Sequence, residues 1–386
     1  MKIGYFVETP VAKNLTGGVQ SFLDLIELLV PMGVDPYVVV SEPWQLTEEL
    51  DRRGIAYITA KMYRPFVGVD KKSKFYRLKC IVKSIFNSVS TIKAIKFFKS
   101  NKVKLIHVNS QFCGLVGIHV SNYLKIPYVY HIREFLSKDF NVKFINHAKA
   151  TKLIGNANAV VAISDAIMKF EQERHTDANI VKIYNGINYD KFCLSNNDAK
   201  FNNVVVSLVI VGRVCESKGQ IDAVKAVDIL QKQYHKNVKL YIVGCEGNGA
   251  YEDMLRDFVK GREMENNVEF VEFTNNPEEI VQKCDIGLMC SRNEAFGRVT
   301  IEYMMSGLLT VGANAGGTVE LINDEETGLL YEVKNAEDLA NKINWVIDNP
   351  SAAKQITENG TKNAVDNFSI NNTANRVCSL YNAIIY

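Results

Sequence analysis

The feature that most constrains this chain is an alternation. Short runs rich in valine and isoleucine give way repeatedly to amphipathic stretches of helical period. Such runs read as strands buried on both faces, and parallel strands need a crossover helix between them. The fold class is therefore α/β. In the first half the strand-like runs are Ile3–Val7, Tyr37–Val40, Leu105–Val108, Tyr128–Tyr130, Val160–Ile163 and Val181–Ile183. Apolar residues at three- and four-residue steps predict helices over Ser21–Leu29 and Phe112–Leu124, and Ser164 suits the N-cap of a helix reaching Glu173. The alternation lapses in Asn185–Asn203, rich in Asn, Asp and Lys, and resumes with Val204–Val211. Leu240–Val243, Val268–Val271, Ile286–Met289, Leu309–Val311 and Leu329–Tyr331 follow as strands, and the chain from Ala336 to Tyr386 reads as helical.

At 386 residues the chain exceeds what one hydrophobic core usually organises, so the lapse marks a domain boundary. We expect a first domain over 1–186, a linker over 187–203, a second domain over 204–366 and a closing helical segment over 367–386. A content of 47% hydrophobic and 23% charged residues excludes disordered and fibrous classes. The net charge of +2 points to no particular partner, and no nucleic acid is expected. Glu8 arrives before a signal-peptide apolar region can form, and no apolar run approaches the roughly 18 residues of a membrane span, so a cytoplasmic protein is expected. The eight cysteines include no C-x-x-C pair and no His at metal spacing, and read as buried, reduced thiols.

Candidate chemistry gathers in loops that follow strands, where ligands of open α/β sheets bind. After the run ending at Met289 comes Ser291–Glu302, with carboxylates at Glu294 and Glu302. On one helix that spacing would put them about 80° past two full turns and ~12 Å apart along the axis. With Glu294 in the loop and Glu302 in the helix, one can face a sugar and the other a ribose. Phe296, Gly297 and Arg298 would then form the first turn, whose unpaired N–H groups favour a diphosphate. A solvent-facing pair of glutamates is the bland alternative. Arg213 and Lys218, on the glycine-flanked loop Gly212–Gly219, suit a leaving group that gains negative charge. Gly17-Gly18 opens a helix after the first strand, and the missing Cβ atoms let backbone approach a phosphate or sugar. His131, Arg133 and Glu134 follow the run Tyr128–Tyr130, and Gly316–Glu320 forms one more strand-to-helix loop.

Taken in order along nearly the whole chain, these segments resemble glycosyltransferase family 4, the retaining branch with the GT-B fold. The E-x7-E signature stands as Glu294 to Glu302, G-R-x4-K-G as Gly212 to Gly219, the N-terminal glycine pair as Gly17-Gly18, and G-G-x2-E as Gly316 to Glu320. Asn185-Gly186-Ile187-Asn188 is similar to the family's N-G-h-D, with Asn for Asp, and Gly307-Leu308-Leu309 lacks the proline of its G-x-P step. The resemblance implies two Rossmann-like α/β domains facing each other across a cleft, with C-terminal helices crossing back to the first. It implies that Arg213 and Lys218 bind the donor diphosphate, that Glu302 binds the ribose, and that Gly17 and Gly18 also belong to the donor site. Glu294 and the backbone of Phe296, Gly297 and Arg298 would hold the transferred sugar. His131 looks like the family's histidine near the reacting sugar and phosphate. Arg133 and Glu134, part of a subgroup pattern, are expected at the acceptor.

The expected activity is retaining transfer of a hexose or N-acetylhexosamine from a nucleoside diphosphate sugar, UDP-sugar favoured, to a saccharide or lipid-linked saccharide in bacterial surface polysaccharide synthesis. The second half has no Asp-x-Asp motif, and Arg213, Lys218 and a helix N-terminus can supply positive charge, so neither metal nor other cofactor is expected. A nucleotide-sugar epimerase and a two-domain sugar-binding protein are the competing readings. One further feature is local: Lys71–Lys104 holds eleven Lys or Arg and no Asp or Glu, interleaved with apolar residues at helical steps. This predicts one basic amphipathic helix, or two broken near Asn87–Ser90, suited to the anionic inner face of a membrane. Packing of its apolar side on the first sheet is the alternative.

Overall fold

The computed structural model describes residues 1–8, 17–69, 74–193, 204–247 and 249–386. Thr16, Lys71, Lys72 and linker residues 194–203 lie outside them. The chain divides into two units, Met1–Gly186 with Ile370–Tyr386, and Ile187–Ser369.

In the first unit the strands are β1 (Lys2–Val7), β2 (Asp35–Val40), β3 (Ala56–Thr59), β4 (Phe66–Gly68), β5 (Leu105–Val108), β6 (Tyr128–Ile132), β7 (Val142–Phe144), β8 (Ala159–Ala162) and β9 (Ile180–Lys182). Seven of them form a parallel sheet in the order β3-β2-β1-β5-β6-β8-β9, and β4 pairs antiparallel with β7. The sheet interior explains its valine-rich runs: Val38, Val39 and Val40 of β2 are all fully buried. Its core joins Phe22, Leu23 and Ile26 of the helix Gly17–Leu29 to Ile370, Ala374, Val377 and Tyr381 of the last helix, Ile370–Ile385. Each such buried Val or Ile contributes roughly 1.5–3 kcal/mol, so the last helix is an integral part of the first unit's core.

The second unit has a parallel sheet of six strands, β10 (Val206–Val211), β11 (Val238–Cys245), β12 (Val268–Glu272), β13 (Ile286–Met289), β14 (Leu309–Ala313) and β15 (Leu329–Tyr331). Their order is β12-β11-β10-β13-β14-β15. Both sheets thus reverse direction once, between β1 and β5 and between β10 and β13, and such switch points open a crevice at the carboxyl ends of the strands.

Several local expectations need correction. β6 runs on through Ile132, with His131 paired to Val161, so His131 lies inside a strand rather than behind one. β3, β4 and β7 are three or four residues long, too short for a periodicity to register. Of the two arrangements expected for the basic stretch, the structure has the single helix, Lys74–Ser100. Asn87 and Ser90 do not break it because their side chains bond outward. Asn87 accepts from the Tyr63 N–H at 2.7 Å and donates to the Tyr63 carbonyl at 2.9 Å, and Ser90 donates to the Lys61 carbonyl at 2.5 Å. The later part of this helix enters the core at Ala94 and Phe98, whose ring meets Phe6 edge-on. Leu78, Ile81, Ile85, Phe86, Val89 and Ile92 remain 45 to 64% exposed.

Candidate active site

In the second unit the loops after β10 and β13 meet at the switch point. The first carries Gly212 and Arg213, then a single 3-10 turn, Glu216–Lys218, and Gly219. Gly219 has φ +68°, and a Cβ there would sit 2.2 Å from the Cys290 carbonyl oxygen, so no larger residue fits between this loop and the end of β13. The Arg292 N–H also donates to the Ser217 carbonyl at 3.0 Å. This contact brings Lys218 Nζ within 2.7 Å of Glu294 Oε2, with the two side chains 33% and 16% exposed. Arg213 is exposed, and its carbonyl accepts from Gln220 Nε2 at 3.0 Å, which ties the loop to the helix Gln220–Lys232.

Glu294 lies in the loop and Glu302 in the helix Arg298–Met305. Gly297, at φ +96°, caps that helix, so Phe296 precedes the first turn instead of entering it. The Phe296 side chain is buried edge-on to Phe368. Arg298 Nη2 is 3.6 Å from Glu302 Oε1, each side chain being 14% exposed. The late glycine pair has a supporting role here: at Gly316 a Cβ would lie 2.5 Å from the Glu294 carbonyl oxygen, which also accepts from the Gly317 N–H at 2.7 Å. Tyr303, unremarked in the sequence, accepts from the Val211 N–H at 2.7 Å and pins the helix to β10. The arrangement offers cationic groups at Arg213 and Lys218 beside a carboxylate fixed by its backbone. Among the described residues, no three or more His, Cys, Asp or Glu side chains cluster as metal ligands.

The corresponding ends of β5 and β6 in the first unit carry a buried network. Arg133 donates from Nε to the Asn109 carbonyl at 3.2 Å, from Nη2 to Asn109 Oδ1 at 2.8 Å and from Nη1 to Asn185 Oδ1 at 2.5 Å. Its Nη2 lies 3.4 Å from His131 Nδ1, and His107 Nε2 lies 3.1 Å from the same atom. His107 Nδ1 bonds the Tyr381 hydroxyl, which meets the Tyr5 hydroxyl at 3.1 Å. Burial, and then the Arg133 charge, push His107 down to about 3 and His131 well below the usual imidazole range, so both rings are neutral. Gly18, in the first turn of its helix, would place a Cβ 4.0 Å from Arg133 Cδ. Burial raises Glu134 to about 7 despite Arg133, and raises Glu8, which pairs with Arg64, to about 7 as well. His107, Tyr381 and Glu8 were missed as members of this site: the first two look like ordinary core positions in a strand and a helix.

Comparison with known proteins bears on what these two sites serve. Residues 15–191 match the family model described as Glycosyltransferase Family 4, and residues 197–363 match Glycosyl transferases group 1. An uncharacterised glycosyltransferase of Methanocaldococcus jannaschii is 28% identical over 276 residues, 68% of this chain and 70% of its own. The capsular polysaccharide biosynthesis glycosyltransferase CapM of Staphylococcus aureus is 23% identical over 312 residues, covering 77% and 81%. Among solved structures, a glycosyltransferase from Rickettsia africae superimposes with a TM-score of 0.81 at 21% identity over 100% of this chain and 98% of that one. Anabaena HepE, solved in complex with UDP-glucose, gives 0.77 at 22% identity over 99% and 100%.

Proposed function

Because the chain belongs to the family 4, group 1 glycosyltransferases and has their GT-B fold, we propose that its second unit binds a nucleoside diphosphate sugar, UDP-sugar favoured, and that it transfers the sugar with retention. The observation that carries this reading is the Lys218–Glu294 pair at 2.7 Å, beside Arg213 at the β10/β13 switch point. Arg213 and Lys218 hold the diphosphate, Glu302 the ribose, and Glu294 the sugar hydroxyls, with the backbone of Phe296, Gly297 and Arg298 at the same donor. UDP-glucose bound to HepE, whose fold is the same, supports a UDP-sugar. Gly17, Gly18 and His131 also serve the donor, and Arg133 and Glu134 the acceptor.

The chemistry needs no protein nucleophile. The bond from the anomeric carbon to the phosphate oxygen breaks, a bond to the acceptor oxygen forms on the same face, and the leaving phosphate takes the acceptor's proton. The cations and the helix N-terminus hold the charge that develops on the diphosphate, the place where such interactions contribute most. Transfer is metal-independent on this account. Incubation with labelled nucleotide sugars and oligosaccharide or lipid-linked acceptors tests it: labelled sugar should appear on an acceptor with release of nucleoside diphosphate. Release of an isomerised nucleotide sugar with no acceptor product would replace transfer by epimerisation.

The acceptor is a lipid-linked saccharide at an anionic membrane surface. The exposed apolar residues on the basic helix Lys74–Ser100 support this, since the packing alternative would have covered them. No helix among the described residues is long and apolar enough to cross a membrane, so the contact would be peripheral. Each Lys or Arg near an anionic leaflet contributes about 1 kcal/mol. Co-sedimentation with phosphatidylglycerol vesicles should therefore fall with salt and weaken in Ile85→Asn with Val89→Asn. Indifference of the wild type to such vesicles at low salt would remove the membrane contact and leave the transferase reading standing.

A further inference from the structure

The buried network of the first unit has a direction, which Arg133 favours at one end and donation from the Tyr381 hydroxyl supports at the other. A guanidinium can only donate, so Arg133 Nη2, 3.4 Å from His131 Nδ1, disfavours a proton on that nitrogen. His131 Nδ1 is then an acceptor, and His107 Nε2, 3.1 Å away, must carry the proton between them. His107 Nδ1 is in turn bare and accepts from the Tyr381 hydroxyl, whose oxygen accepts from Tyr5. Both imidazoles are neutral, so each holds one proton. The count leaves His131 with its proton on Nε2, a buried atom with no hydrogen-bond partner among the described residues. An unmatched buried donor is costly, and such an atom in a native site marks a place for a ligand.

The geometry points to Tyr381 and His107 as positioning residues that hold His131 in its Nε2–H tautomer, making it a neutral donor to a substrate oxygen rather than a base. This rests on the reading of His131 as a group that meets substrate. The ligand atom it suits is an acceptor only, a phosphate oxygen or a sugar hydroxyl presenting its lone pair. It cannot take the acceptor's proton, which agrees with a leaving phosphate that does. Because Tyr381 sits on the last helix, the extreme end of the chain tunes a side chain on the central sheet of the first unit.

The test is the tautomeric state read by two-bond proton–nitrogen correlation on the full chain with 15N-labelled histidine, His131 being assigned by loss of its signals in His131→Gln. In the wild type, Nε2 of both His131 and His107 should be protonated and both Nδ1 atoms bare. In Tyr381→Phe the donor to His107 is gone, so the opposite tautomer of the pair should become populated, and kcat should fall ~10-fold with little change in donor KM. Tyr5→Phe keeps the Tyr381 donation and should leave tautomer and kcat as they were. A wild-type His131 protonated at Nδ1, or tautomers unmoved in Tyr381→Phe, would overturn the inference, and the wild-type spectrum decides its direction even if that variant fails to fold. If the tautomers shift as expected while His131→Ala retains full turnover, the relay stands and the substrate role of His131 falls.

Discussion

The two units place chemically opposite sites at the carboxyl ends of their parallel strands. At the β10/β13 switch point the loops present an exposed Arg213 and a half-buried ion pair, Lys218 with Glu294. At the ends of β5 and β6 the side chains are sealed in, neutral apart from Arg133, and joined by hydrogen bonds among His131, His107, Asn109 and Asn185. Exposed charge can move onto an incoming anion and exchange its partner. A buried network cannot rearrange without leaving polar atoms unmatched, so it fixes orientation instead. The comparison teaches that the doubly wound sheet specifies where a site stands, while burial decides whether it works by charge or by direction.

The comparison breaks most visibly if the charged site is dispensable. Lys218→Ala and Glu294→Ala should each lower turnover at saturating donor by ~10² to 10³ while the fold survives, since the first removes a cation aligned with the charge developing on the diphosphate and the second the carboxylate that orients the sugar. Near-normal turnover in both would place the donor elsewhere. The next largest effect separates the two arginines. Arg133→Leu strips the donors from Asn109 and Asn185 in the buried network and should lower unfolding free energy by about 2–3 kcal/mol in denaturant titrations. Arg213→Leu, at an exposed position, should change it by no more than roughly 0.5 kcal/mol while weakening donor binding. Equal losses in both would erase the distinction.

A smaller effect concerns pH. Glu134 has its folded pKa raised from 4.5 to about 7, so the unfolded chain releases this proton first. Stability therefore falls as pH rises through that window and levels off above it. Glu134→Gln removes this contribution, so its stability relative to wild type should improve by about 1–2 kcal/mol between pH 4.5 and 8, with Glu8 retaining part of the slope. A wild-type stability that rises across that range, unaltered in slope by the substitution, would contradict the assignment. The smallest expected effect is none: a chelator should leave turnover unchanged, and activity lost to chelation and restored by magnesium or manganese would show that the cations do not suffice.

Much of the charged site was legible because it is local. Arg213, Lys218, Glu294 and Glu302 stand at short, fixed distances from strands whose valine-rich runs are unmistakable, so finding the strands places the loops. The boundaries blurred where tertiary pairing decides them: β6 extends through His131 because β8 offers a partner, which no residue near His131 announces. Helix Lys74–Ser100 stays whole because Asn87 and Ser90 find partners at Lys61 and Tyr63, again outside the segment itself. The buried network was invisible for the same reason. Its His107–Tyr381 bond spans 274 positions, and each residue taken alone is an ordinary core choice for its element. Gly316, read as part of a ligand loop, instead makes room for the Glu294 backbone, a steric demand that appears only when the loops are folded together.

The central claim is that the second unit's cationic loop takes a nucleoside diphosphate. Calorimetric titration of nucleoside diphosphates, UDP first, into the wild type and Lys218→Ala measures it without needing the acceptor. The account predicts saturable binding of at least one diphosphate to the wild type and at least ~10-fold weaker binding to the variant, as loss of a charge-assisted contact requires. No binding by any nucleoside diphosphate, or equal affinity in the two proteins, would contradict it.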